Sequence, residues 1–193
     1  VADIYANPIF PEKELEKETQ IVIEELKMRF EDSPMGKAQL LLYELMYGDQ
    51  PAGWPVIGTR ESIKATTLDA VRSYRTRHYT ARNTVVVVAG AFPERQVRSD
   101  IKKFFGLIVK GDRAQEILVR EAQQKPQTKV FYKETGQTSL IFGFRAFSMF
   151  DKRRYPLRVL MGVLGGGASA RLFVKVREEL GAAYDVGAGT DFF

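Results

Sequence analysis

The sequence predicts an α+β fold, mostly antiparallel sheets with helices packed on one face, spread over parts of two similar domains. Three observations carry this reading. Thr84-Val85-Val86-Val87-Val88-Ala89-Gly90 is a nearly continuous β-branched run, the pattern of a strand covered on both faces. Amphipathic helical stretches stand on either side of it. Beyond residue 108 the chain becomes polar and irregular, then resumes with a second mixture of strand-like and helical segments. Residues 1–108 are therefore read as the C-terminal part of a first domain, 109–126 as a linker, and 127–193 as the N-terminal part of a second.

The elements follow in order. Residues 11–30 read as a helix opened by Pro11, with acidic residues in the first turn, where the helix dipole favours them. Residues 34–47 form a second helix whose apolar face includes Leu41 and Leu45 and which ends near Gly48. Gly48 to Pro55 is a Pro/Gly loop. Thr59 and Thr67 are placed to cap two further helices, about 60–65 and 68–79. After the valine strand, Pro93 starts a helix running to Phe105. The second part offers strands at 128–134 and 138–146, a helix at 152–164, a Gly165-Gly166-Gly167 break, a helix at 169–180 and a strand from 183.

With 193 residues, 45% of them hydrophobic, the chain is long enough to bury a core. The absence of cysteine excludes a disulfide framework, a thiolate zinc site and a cysteine nucleophile, so any metal must use His, Asp or Glu. No run of eighteen apolar residues is present, and no membrane partner is expected. The net charge of +5 comes from Lys and Arg interleaved with acids, so nucleic acid is not expected as a partner either. The sequence leaves the compartment open, with the bacterial cytoplasm as the working expectation.

The most informative stretch is Glu14 to Leu26. At about 100° per residue, an apolar arc centres on Leu15, Val22 and Leu26, with Ile21 and Phe30 on its flanks. Glu18 and Glu25 fall inside that arc, two turns apart, whereas Glu24 points into solvent. A carboxylate facing a core needs a partner, a hydrogen bond or a metal. Two readings stay open from the spacing: edge glutamates that reach water or pair with Lys and Arg, or a metal ligand and its supporting acid. Farther on, Leu164 to Phe173 contains three glycines but no Gly-Lys-Ser/Thr ending, which makes it a helix-to-helix turn rather than a phosphate loop. Ser169 is placed to cap the next helix and Gly181 to end it. Arg177 lies on that helix and Tyr184 follows seven residues later.

Taken together, Asn7-Pro8-Ile9-Phe10, Glu18-Thr19-Gln20-Ile21-Val22-Ile23-Glu24-Glu25, Gly53-Trp54-Pro55-Val56-Ile57-Gly58-Thr59, Tyr79-Thr80-Ala81-Arg82-Asn83 and the valine run resemble the insulinase/pitrilysin family of zinc metallopeptidases, mitochondrial-processing-peptidase-like in kind. The glycine break, Ser169-Ala170-Arg171-Leu172-Phe173, Val176-Arg177-Glu178 and Ala183-Tyr184 resemble that family's second signature. The resemblance implies two insulinase-type domains and a Zn2+ cofactor. Glu25 would be the third metal ligand and Glu18 a catalytic outer residue supporting a ligand or the catalytic water. It further implies that Arg177 binds a substrate backbone carbonyl and that Tyr184 binds substrate and donates to the oxyanion.

One departure matters. The family's inverted His-x-x-Glu-His motif, which supplies two ligands and the general base, is absent, and the single histidine, His78, reads as a surface or packing residue. Gln50-Pro51 stands where the family often has His-Pro. The expectation is a fragment, itself inactive, of a zinc endopeptidase that cleaves extended peptides and works as a homodimer or with a paired homologous subunit. The alternative is a non-catalytic homologue serving as a partner or scaffold.

Overall fold

Helix boundaries in this chain are set by local chemistry. In the computed structural model, which describes residues 1–192, α1 spans Ala2–Ala6 and α2 spans Glu12–Leu26, the latter entered through Pro11 with Glu12 and Glu14 in its first turn. The helix α2 continues as a wider π-helical turn, Lys27–Glu31. Ser33 then stops one helix and starts the next: its Oγ accepts from the Gly36 N–H at 3.1 Å, Pro34 takes the first position, and α3 runs Pro34–Tyr47. Thr59 caps α4 (Arg60–Lys64) in a reciprocal capping box with Ser62, and Thr67 caps α5 (Leu68–His78) through the Ala70 N–H. Helix α6 is Glu94–Phe105 and α7 is Arg154–Gly165. A π-helical segment, Phe173–Glu179, follows.

The expected antiparallel sheets do not form. Among the described residues no strand occurs at 84–90, 128–134, 138–146 or after 183, and the α+β assignment is corrected to helices joined by long irregular connections. The reason lies in what a β-branched run specifies. It favours extended backbone, but a strand exists only when a second segment supplies the ladder and packs on the side chains. Here Val85 and Val87 are 85% and 80% exposed, so the pattern of the run is present without the neighbour that would complete it.

The chain divides into two compact units, Val1–Ile141 and Phe142–Phe193. In the first, Ile23 and Leu26 of α2 bury against Ile63 of α4, with Val22 and Ile57 packed at the edge. Burying such side chains is worth about 1.5–3 kcal/mol each, which makes this cluster the anchor of α2. Tyr5 ties α1 into the same unit. Its ring lies 5.3 Å from that of Tyr79 and 6.2 Å from that of Phe105, its hydroxyl bonds Thr84, and Arg75 donates to the carbonyls of Tyr5 and Ala6.

Residues 109–120 are held to the first unit by hydrogen bonds. The Ala81 and Arg82 N–H groups donate to Val109 and Lys110 at 2.9 and 3.3 Å. Asn83 accepts from the Ala114 N–H at 2.9 Å and donates to the Asp112 carbonyl at 3.3 Å. Gln50 does the same at Arg120, accepting from its N–H at 2.9 Å and donating to its carbonyl at 3.2 Å. Each carboxamide thus stands in for a peptide group. Between them Gly111 adopts a φ of +52°, and a Cβ there would lie 2.3 Å from Thr80 Cγ2.

In the second unit, Asp151 forms a turn into α7 by accepting from the Arg153 N–H at 2.8 Å. Gly165 passes close to the chain at Ala188, with its added Cβ only 2.2 Å from that backbone nitrogen. No helix among the described residues is long and apolar enough to cross a membrane.

Candidate functional site

The packing of α2 decides how its glutamates are presented. The buried face runs through Ile23 and Leu26, with Leu15, Thr19, Val22 and Phe30 partly covered. Its centre is turned toward Ile23 and away from Glu18 and Glu25. Glu18 is exposed, Glu24 is exposed, and Glu25 is half-buried at the margin. One turn along, in the π-helical turn, Arg29 pairs with Glu25 at 2.9 Å. The Glu25 carboxylate keeps 42% of its side-chain surface accessible, so the pair lies at the rim of the unit rather than in its core. An (i, i+4) Glu–Arg pair is legible in sequence, and Glu25–Arg29 is the edge-glutamate pairing with Arg that the spacing left open.

In the second unit the chain brings Arg177 and Tyr184 together. Gly181, at φ +59°, ends the helical segment and reverses the chain, as its placement in sequence predicts. The Arg177 guanidinium carbon then lies 4.4 Å from the centre of the Tyr184 ring and 4.8 Å from that of Phe173. Both distances are those of cation–π contacts. Tyr184 is 78% exposed and Arg177 half-buried. Contacts through ring faces use none of the five guanidinium N–H donors, and no acceptor among the described residues takes one of them. Phe173 closes the Ser169-to-Phe173 signature with no role of its own assigned there, although an aromatic four residues before an arginine on a helix is a readable signal. The pairs Glu18/Glu25 and Arg177/Tyr184 belong to different units.

His78 packs its ring on Tyr74, centres 4.3 Å apart. A catalytic zinc requires three protein side chains and an open position, and no group of three His, Cys, Asp or Glu that could hold a metal occurs among the described residues. With Glu25 paired to Arg29, the residues present do not fit a zinc ion by themselves.

Residues 65–192 match the family model described as the peptidase M16 inactive domain. The chain belongs to the peptidase M16 family. The resemblance to insulinase-type zinc peptidases read from its motifs is thus a true kinship. Among its relatives, an "uncharacterized zinc protease", YmxG of Bacillus subtilis, is 37% identical over 186 residues, covering 96% of this chain and 44% of the relative. An "uncharacterized zinc protease" of Rickettsia bellii is 31% identical over 97% of this chain and 45% of its own length. The chain therefore spans less than half the length of these relatives. A protease from Helicobacter pylori, known from its crystal structure, superposes with a TM-score of 0.79 at 20% identity, over 98% of this chain and 47% of that one. That likeness is one of fold.

Proposed function

We propose that this chain is part of a zinc-dependent endopeptidase acting on extended peptides, and that its own contribution to substrate is the Arg177–Tyr184 pair. The observation that carries the reading is the 4.4 Å contact between the two side chains, with the guanidinium donors uncommitted among the described residues and the tyrosine exposed. An arginine in that state binds a peptide carbonyl or carboxylate through its N–H edge. A tyrosine hydroxyl beside it donates to the oxygen on which negative charge develops as the carbonyl is attacked, and such a donor matters most in the transition state. The names of the relatives, zinc proteases both, support the reaction class.

Zinc enters this reading as a family cofactor. Glu25 would contribute one carboxylate and Glu18 an outer support, with the remaining donors lying in a polypeptide segment that carries His-x-x-Glu-His. Peptide substrate and a homodimer or paired homologous subunit complete the proposal.

The second reading, a non-catalytic M16 homologue, draws on the Glu25–Arg29 ion pair, which occupies the carboxylate that a metal would use. Metal analysis and peptide cleavage separate the two. In a polypeptide of the relatives' length, Glu25→Gln should lose zinc and cleavage together. Full metal retention would remove Glu25 as a ligand, and a wild-type protein with neither zinc nor cleavage would establish the non-catalytic reading.

A further inference from the structure

We propose that Phe173 is a positioning residue that holds the Arg177 guanidinium in place for an incoming peptide acceptor. The positioning stands on the contacts alone, and its consequence for peptide cleavage rests on the reading of Arg177 and Tyr184 given above.

Arginine is a long side chain with many rotamers, and nothing polar among the described residues anchors Arg177. Its neighbours of opposite charge are otherwise engaged or turned outward: Glu179 pairs with Lys175 at 2.5 Å, and Glu178 is exposed. Two rings remain. Tyr184 reaches the guanidinium from beyond the Gly181 turn but is itself mostly exposed, with little else to fix it. Phe173 is half-buried and opens the same π-helical segment that carries Arg177, so its backbone is placed relative to that of the arginine and its ring is more covered than that of Tyr184. The phenyl face therefore sets where the guanidinium sits, and the tyrosine docks on a cation already placed. Because ring faces take no N–H donor, this anchoring leaves the hydrogen-bonding edge of Arg177 available. An ion pair in the same place would have consumed it. Unusual π-helical geometry often accompanies functional positions in helices, and here it carries both Phe173 and Arg177.

The test combines a structural and a kinetic measurement on Phe173→Leu, with Phe173→Met as a second ring-free variant and Phe173→Tyr as the conservative one. In the isotopically labelled chain, the Arg177 Nε–H resonance should be displaced by the rings. That displacement should fall in the Leu and Met variants and persist in Phe173→Tyr. In the longer zinc-loaded protein, the ring-free variants should lower kcat/KM for a peptide by about tenfold to a hundredfold, while zinc content stays unchanged and Phe173→Tyr stays near wild type. An Arg177 resonance unmoved by loss of the Phe173 ring would overturn the positioning role. If the resonance moves but only Tyr184→Phe impairs cleavage, Phe173 has no catalytic consequence. If neither substitution affects cleavage, the reading of Arg177 and Tyr184 as substrate donors has failed instead.

Discussion

Glu25 and Arg29 are joined across one helical turn by an ion pair of 2.9 Å at the margin of the first unit. Both side chains are substantially exposed, so solvent screens the attraction and the pair is worth only about 0.3–0.5 kcal/mol. Arg29→Ala should therefore barely move the unfolding midpoint in denaturant. If zinc binds as proposed, the same substitution in a polypeptide of the relatives' length should leave metal content intact or raised, because it frees the proposed ligand. A drop in zinc on losing Arg29 would show that the arginine supports the carboxylate in its ligating position rather than competing for it.

Tyr184→Phe isolates the hydroxyl, since phenylalanine keeps the ring that touches Arg177. Loss of one oxyanion donor typically lowers kcat by about 10²–10³, and the proposed role of Tyr184 predicts that range, with zinc retained, in a polypeptide of the relatives' length. Steady-state kinetics beside metal analysis decide it. An unchanged kcat would confine Tyr184 to packing.

Gly36 sits where α3 approaches the π-helical turn. A Cβ at this position would lie 1.8 Å from the Arg29 carbonyl oxygen, a backbone atom with no freedom to swing away. Gly36→Ala should destabilise the chain by about 1–3 kcal/mol through overpacking, read as a lower denaturant midpoint. A midpoint equal to wild type would mean that α3 shifts at no cost.

The carboxamides of Asn83 and Gln50 protect particular amides. Asn83→Ala should speed hydrogen exchange at Ala114, and Gln50→Ala at Arg120, each by about fivefold for a bond worth about 1 kcal/mol. Protection within α3 should be unchanged. Exchange at Ala114 and Arg120 that ignores both substitutions would show residues 109–120 to be held by other contacts.

Asp151 accepts hydrogen bonds from the Arg153 guanidinium and from the Arg153 N–H, and these hold its pKa at about 2, below the ordinary 3.8. A depressed folded-state pKa contributes stability that is present above about 3.8 and lost as pH falls through about 2. A carboxyl-carbon NMR titration should find the Asp151 midpoint near the lower value, with the turn into α7 loosening below it. In Arg153→Ala the midpoint should rise toward the ordinary one. A wild-type midpoint at 3.8 would rule out the pairing.

Helix positions were legible because their signals are local. Thr59, Thr67 and Gly181 act within a turn of where they stand, and the structure finds caps or turns at each. The face of α2 was only partly legible. Spacing centred the apolar arc on Leu15, Val22 and Leu26; Leu26 is buried, but packing against Ile63 turns the helix toward Ile23 and leaves Glu18 in solvent. Periodicity ranks faces by composition, but the neighbour decides which one is covered.

The family resemblance and most helix positions are legible from residue identity, because motif order and capping chemistry are written along one chain. Tertiary contact settles two other points: among the described residues the valine run and its companions form no strand, and Tyr184 faces Arg177 from beyond the Gly181 turn. These depend on which groups are brought within a few ångströms of one another, and residue identity states a preference for such contacts without supplying the partner.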